Sequence, residues 1–459
     1  MAIGHFDGGS TEVPGGVTGP VDRVLIVGAG IAGLTAASAL THAGVDCVAF
    51  EARDRLGGRL HTIDLAGWPV DMGGSWIHMP GGNPLTTFAH QVGIARRSGD
   101  PLPELVAYDC VDGRRLSADE WSASIELQYE AFPEAQSQLL ERLGPEASMA
   151  DAIETFLDDS ELSSSELRRA RQALQAVIEA EAADSCREQS LRWMWNELEF
   201  EGSYFGDLPS GGYTSLITAM ASGVDVRLGV EVCEVAYSAT GVAVRDTTGS
   251  VETASDAIVT VPLGVLKRGS PQFSPELPLE RTKSIGRLGF GTFVKVAIAF
   301  DRPFWREAGA PHVVLFPPEA DEPAIWVLGQ DAFGGGPILV ALVFHSSTHR
   351  VLDSTPTAAA NWLLGMLGQA FGKRCPTPTA VAVSSWASDP LTGGSYSHIP
   401  PGASAGDADL LGEPIGGRLL FAGEHTQSAR LVYADGAMCS GIREPKRLLA
   451  TSNVRLGPN

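Results

Sequence analysis

The run from Val24 to Arg59 leaves few folds open. Four apolar residues, Val24 to Val27, meet Gly28-Ala29-Gly30-Ile31-Ala32-Gly33, and an apolar run with helical character follows, LTAASAL. A second short apolar run, VDCVAF, ends on Glu51. Each glycine in this pattern has its own reason. Gly28 permits the tight turn out of the first strand, Gly30 lets backbone approach a pyrophosphate, and Gly33 lets the helix pack close to the strand. The pyrophosphate charge then sits at the positive N-terminus of that helix. Glu51 follows about 20 residues on, where an acid accepts hydrogen bonds from ribose hydroxyls. A glycine-rich turn alone is weak evidence. Here it leaves a strand, opens a helix and has its acid in place, so an ordinary βαβ unit without a ligand is the poorer reading.

The continuation sharpens the cofactor. Glu51, Ala52 and Arg53, followed by Arg55, Gly57, Gly58 and Arg59, resemble the extended fingerprint of FAD enzymes of the glutathione-reductase-like superfamily. That extension separates FAD from NAD.

At 459 residues the chain is long enough for two or three domains. Its formal net charge of −22 excludes a basic nucleic-acid footprint. An acidic field would attract cationic substrates, but charge alone is read here as solubility. The six cysteines are scattered, with no CxxC pair, and suit buried free thiols in a reducing compartment; no metal site is expected. Residues 1–20 lack a basic n-region and an apolar h-region and read as a flexible tail. No stretch offers the roughly 18 apolar residues of a membrane span. The C-terminal VRLGPN is neither an anchor nor a peroxisomal address. A cytoplasmic protein, monomer or homodimer, without membrane or nucleic-acid partners is the expectation.

Downstream, DLAGWPVDMGGSWIHMPGG is a glycine-punctuated loop system that would set Gly73, Gly74, Ser75 and Trp76 beside the flavin, with His78 next. For His78 a hydrogen-bonded loop histidine and a substrate contact are equal readings. From about Leu116 to Glu199 the spacing is helical, an insert rather than a Rossmann continuation. It ends in Glu197, Glu199, Glu201 and Asp207. Such a cluster is usually a solvated face, but the neighbouring tryptophans and Phe200 allow a partly buried acidic pocket. Alternating runs then feed short strands back to the dinucleotide domain, with Val232 in one of them and Pro262 in the following TVPLGVL. FVKVAIAF reads as a strand buried on both faces except for Lys295, and a lysine there needs a partner or a job. The stretch 310–385 mixes strand-like runs with one helix, as in an antiparallel sheet with helices to one side. The run after Tyr433 is a helix starting at Ala434, placed to face the flavin pyrimidine ring.

Taken together, GGSWIH, TVPLGVLK, GFGTFVKVAIAFDRPFW, Trp386 before DPLTGGSYSHIPPG, and LLFAGE resemble the flavin amine oxidases: monoamine oxidases, polyamine oxidases and lysine-specific histone demethylases. The motifs look most like the polyamine oxidase and demethylase branch, and the polyamine oxidases most of all. The likeness covers about Val21 to Leu449 and is weakest in the helical insert. It implies an α/β, two-domain fold: a glutathione-reductase-like FAD-binding domain with a Rossmann βαβ unit, made of 21–85, 205–290 and 395–459, and a substrate domain of mixed antiparallel sheet and helices, made of 86–204 and 291–394. It implies that Lys295 holds a water against flavin N5 and that Trp386 lies under the flavin. It sets Tyr396 and Tyr433 on the re face, framing the amine. It sets His78 at the site mouth, Val232 along the adenine, and Glu424 with the Gly423 backbone at the ribityl and phosphate groups. Trp76, His78, Glu199 and Glu201 join the tyrosines as substrate contacts.

One departure bears on the cofactor. Animal monoamine oxidases carry a flavin-tethering cysteine just before the first cage residue, and here Ser395 stands there, so FAD should be non-covalent. The membrane helix of those enzymes and the demethylases' tower and extra domain have no counterpart in this sequence. The implied reaction passes hydride from the α-carbon of a primary or secondary amine, a monoamine or polyamine, to flavin N5. The imine is hydrolysed and O2 becomes H2O2. The alternative is an L-amino-acid oxidase, which needs an arginine for the substrate carboxylate, with Arg430 the candidate. Protoporphyrinogen oxidase and carotenoid desaturases share the fingerprint without the Lys295 and tyrosine set. An FAD-holding interaction protein would be expected to lose that set.

Overall fold

The computed structural model describes residues 21–195 and 198–451. The expected N-terminal tail, Glu197 and the C-terminal VRLGPN lie outside the described residues. The first strand, Arg23–Val27, is the centre of a five-stranded parallel sheet. The strand order is Leu419–Phe421, Asp256–Val259, Arg23–Val27, Asp46–Glu51, Val226–Leu228. Strands covered on both faces need no alternation, and Val24 to Val27 and Cys47 to Glu51 are indeed buried without interruption. Helices Ile31–His42 and Ala434–Thr451 pack on each other beside this sheet, with Gly441 close to the carbonyl of Ala32.

A second sheet has seven strands, in the order Ala380–Val383, Val294–Ala299, Ile338–Val343, Ile325–Gly329, His312–Phe316, Leu105–Asp109, Arg114–Arg115. All its pairings are antiparallel except that of His312–Phe316 with Leu105–Asp109. The expected α/β architecture, a parallel Rossmann sheet plus a mixed substrate-side sheet, is what the chain forms. Helix Pro356–Ala370 covers one face, burying Leu363 and Leu367 against Val296 and Ile298.

The helical insert differs from its expected extent. Helices run through Ala118–Glu126, Phe132–Leu143, Met149–Asp158 and Ser164–Ala182, but turns replace helix from Ala183 onward. Ala183 closes the last helix in the left-handed conformation at φ 52°. Its carbonyl is taken by the N–H of Thr292, so a tertiary contact ends a run whose composition would have continued. Two arginines of that helix dock it on the second sheet: Arg168 and Arg169 both donate to Asp109, Arg169 at 3.1 Å. Gln172 adds a bond of 2.8 Å to the Pro317 carbonyl. The C-terminal turn of the insert is thereby fixed over the sheet face that carries Lys295.

Candidate active site

One cavity of about 580 Å3 runs from the glycine turn to Lys295, within the size range of cofactor and ligand sites. Every residue expected at the flavin or the amine lines it except Ala29, Gly33 and Glu201, and Arg430, the candidate for a substrate carboxylate, does not. Thus Gly28, Gly30, Ile31, Ala32, Glu51, Ala52, Arg53, Gly57, Gly58, Arg59, Val232, Pro262 and Gly423 meet at one end. Gly73, Gly74, Ser75, Trp76, His78, Trp386, Tyr396, Glu424, Tyr433 and Ala434 continue it towards Lys295.

The glycine turn is built as a cradle. Gly28 has φ 106°, in the region that favours glycine. A Cβ on Gly33 would stand 2.0 Å from the Gly28 carbonyl oxygen, whereas a Cβ on Gly30 would meet no protein atom within 4 Å. The free space at Gly30 opens into the cavity, at the start of helix Ile31–His42. Glu51 accepts from the Ala29 N–H at 2.9 Å and from the Arg53 N–H at 3.0 Å, and each carboxylate oxygen keeps acceptor capacity for a hydroxyl. Ala29 and Gly33 therefore act behind the wall: one orients the acid, the other seats the helix. These groups fit an FAD nucleotide. Glu424 and Gly423 fit a ligand contact less directly than expected. The Glu424 carboxylate is taken by Arg59 at 2.9 Å and by the Ser397 hydroxyl, and the Gly423 N–H donates to Ser440 at 2.8 Å. Glu424 is thus placed to orient Arg59, which also donates to the Ser395 carbonyl at 2.9 Å.

At the other end, the last turn of helix Ser164–Ala182 holds both tyrosine hydroxyls. Tyr396 donates to the Ala180 carbonyl, and Tyr433 donates to the Glu181 carboxylate at 3.2 Å. Tyr433 is braced behind by Arg430, whose guanidinium lies 3.9 Å from the ring centroid, and its edge meets His78 at 5.3 Å. His78 is half-buried, and the loss of water around its ring pulls its pKa down to about 4, so it is neutral at physiological pH. Its Nδ1 lies 2.7 Å from the Tyr204 carbonyl, which only accepts, so the proton is on Nδ1 and Nε2 is an acceptor. Trp386 is locked by a bond of 3.0 Å from its indole N–H to the Met72 carbonyl. Backbone strain gathers around this end: Met79, Ala183, Trp195 and Val432 have φ of 46°, 52°, 56° and 69°. Each such conformation costs about 1–3 kcal/mol and persists where surrounding packing over-determines it.

Lys295 is 3% exposed. Its ammonium donates to the carbonyls of Asp71, at 3.2 Å, and Gly73, at 2.6 Å, and to the Ser75 hydroxyl, and it stands 5.3 Å from the Trp76 ring centroid. Burial draws its pKa down to about 8, opposed by the negative charge of Asp71. The lysine therefore has partners, and it also ties the 71–75 loop to the strand.

The acidic cluster separates. Glu199 is exposed at the cavity wall, while Glu201 is outside it, its backbone paired with Gly81. Asp207 is bound to Arg96. A loop carries no face periodicity, which is why spacing could not sort these acids. Arg430 is equally committed: it donates to Asp435 at 2.7 and 2.9 Å and to the Leu198 carbonyl at 3.0 Å, and it is absent from the cavity wall. Several lining residues escaped the sequence reading: Tyr129 and Glu181 from the insert, Tyr204 and Phe205 from the following loop, and Phe293, Trp326, Leu342 and Phe344 from the second sheet. The one available signal was for Phe293, two residues before Lys295 and so on the same face of its strand.

Residues 31–449 match the family described as flavin containing amine oxidoreductase. Among similar proteins, "Lysine-specific histone demethylase 1 homolog 2" of Oryza sativa subsp. japonica is 33% identical over 94% of this chain and 58% of its own length. "Protein FLOWERING LOCUS D" of Arabidopsis thaliana is 32% identical over 94% of this chain and 56% of its own. "Lysine-specific histone demethylase 1B" of Mus musculus is 28% identical over 93% and 53%. The chain thus spans a little over half the length of these relatives. A solved double mutant of putrescine oxidase, redesigned in its cofactor binding, superposes with a TM-score of 0.72, covering 94% of this chain and all of that one at 23% identity, a likeness that concerns the fold. The chain belongs to the flavin containing amine oxidoreductase family.

Proposed function

We propose that this chain is an FAD-dependent amine oxidase. It takes a primary or secondary amine, a monoamine or polyamine, to the imine; water hydrolyses the imine to a carbonyl compound and ammonia or the residual primary amine, and O2 is reduced to H2O2. The observation that carries the reading is continuity: a single cavity joins the Gly30–Glu51 cradle to Lys295, Tyr396 and Tyr433. FAD, when bound, supplies the acceptor for hydride from the α-carbon and the electron donor for O2. The protein's own residues do the rest. Gly28, Gly30 and the helix beginning at Ile31 hold the pyrophosphate, and Glu51 the ribose. Tyr396 and Tyr433, fixed through Ala180 and Glu181, present ring faces that orient the neutral amine and favour developing positive charge by about 0.5–2 kcal/mol. His78, neutral, offers Nε2 as a hydrogen-bond acceptor and holds its own proton on Nδ1. Lys295 supplies a fixed positive charge in a dry site, where it favours electron transfer to O2.

The division into an FAD domain and a substrate domain, with the site between them, is part of this proposal, as is a reducing, cytoplasmic setting for six cysteines that are all free. Among the described residues, no helix is long and apolar enough to cross a membrane. The amino-acid oxidase alternative is disfavoured because Arg430 is spent on Asp435, and the arginines that do line the cavity are committed too, Arg53 to Asp389 at 2.7 Å and Arg59 to Glu424 and the Ser395 carbonyl. A peroxide-release screen over monoamines, diamines, polyamines and amino acids tests the reading. Peroxide with an amine is expected, and peroxide with amino acids alone would replace it by the alternative.

FAD should be non-covalent. The Ser395 hydroxyl is occupied, accepting from the Phe293 N–H at 2.9 Å and donating to the Phe293 carbonyl at 3.1 Å. Acid or heat denaturation should therefore release all yellow colour into the supernatant; colour retained by the precipitated chain would refute this.

A further inference from the structure

Resting on the amine oxidase reading of this cavity, we propose that the substrate is a monoamine with an apolar, aryl-sized body, and that the residues selecting it are the rings and leucine of the chamber beyond the tyrosine pair. Two lines of aromatic contacts leave that pair. From Tyr433 one passes to His78, Tyr204 and Phe205, with centroid separations of 5.3, 5.2 and 5.5 Å, and ends on Trp326, stacked on Phe205 at 5.5 Å. From Tyr396 the other passes to Phe293 at 6.2 Å and on to Phe344 at 5.7 Å. The floor between them is one face of the second sheet. Leu342 stands opposite Lys295 on one side and opposite Trp326 on the other, and paired residues share a face.

Charge is placed at the edges of this chamber. Among the described lining residues near it, the carboxylates are Glu181 and Glu199. Glu181 is at the cage, accepting from the Tyr433 hydroxyl at 3.2 Å, so its charge serves the reacting end. Glu199 is exposed, where solvent and salt screen it. The floor itself carries a cation, Lys295. A second ammonium on the substrate would leave water for ring faces already packed on one another, beside a like charge, and away from the cage would find only the solvent-screened Glu199 among the described lining carboxylates near the chamber. An apolar tail, by contrast, gains in proportion to the area it buries, and an aryl tail adds edge-to-face contacts with the same rings.

The test compares amines on the flavin-loaded enzyme: hexylamine, hexamethylenediamine, phenylethylamine and a monomethyl-lysine peptide, at one pH and at low and high salt. Flavin bleaching without O2 and peroxide release with it are the two readouts. Hexylamine should exceed hexamethylenediamine in kcat/KM by about tenfold or more, as expected for a second charge buried unpaired. Phenylethylamine should at least equal hexylamine, the peptide should fall below both, and raised salt should leave that order intact. A diamine or peptide that equals or exceeds hexylamine overturns the proposal while leaving the amine oxidase reading in place. If no amine of the set bleaches the flavin, the amine oxidase reading falls with it.

Discussion

Lys295→Met should give a yellow protein that still reacts with amine, with its reaction with O2 slowed on the order of 100-fold, the effect of removing one preorganised electrostatic partner. Methionine keeps the length and apolar fit of the side chain in strand Val294–Ala299 and removes only its charge and donors. The loss of donors has a second consequence. The carbonyls of Asp71 and Gly73 and the Ser75 hydroxyl lose their partner, which should cost about 1–3 kcal/mol and show as a lower Tm. Lys295→Gln keeps donors for those groups without the charge, so it should restore much of the Tm and none of the O2 rate. pH separates the same effects. Below a pKa of about 8 the lysine is protonated; as pH rises through that value the charge is lost, so the wild-type O2 rate should fall and the Lys295→Met rate should not. An O2 rate unchanged in both variants would make Lys295 a tie for the 71–75 loop and nothing more.

The second large effect is at the glycine turn, where two neighbouring glycines should fail differently. Gly30→Val should yield a folded, colourless protein. Its Cβ meets no protein atom within 4 Å but enters the space assigned to the pyrophosphate. Gly33→Val should not fold at all, because its Cβ would stand 2.0 Å from the Gly28 carbonyl oxygen, between strand and helix. Circular dichroism and bound flavin distinguish the two. A yellow Gly30→Val protein would mean that the pyrophosphate lies elsewhere.

These two sites were legible in the sequence for different reasons. The turn shows because three glycines at fixed spacing answer three separate steric demands. Lys295 shows because a cation inside an apolar strand is costly. What could not be read was the direction in which ordinary side chains face. Glu181 is one acid among several in a polar helix, and tertiary docking turns it towards Tyr433: Arg168 and Arg169 bind Asp109, and Glu179 accepts from the Ser346 N–H at 2.8 Å. Trp326, Leu342 and Phe344 belong to runs that alternate little, so periodicity does not say which of them meets a cavity. The parallel and mixed sheets follow from patterns of apolar residues and turns, but the helical insert ends early because the Thr292 N–H claims the Ala183 carbonyl, a contact between segments far apart in the chain.

Whether this chain oxidises amines at a flavin is decided by anaerobic mixing of the flavin-loaded protein with apolar monoamine, followed by admission of O2. Amine alone should bleach the flavin, and O2 should restore the colour, with peroxide and carbonyl product released in equal amounts. Flavin that stays oxidised in the presence of every amine tried would contradict amine oxidation by this chain.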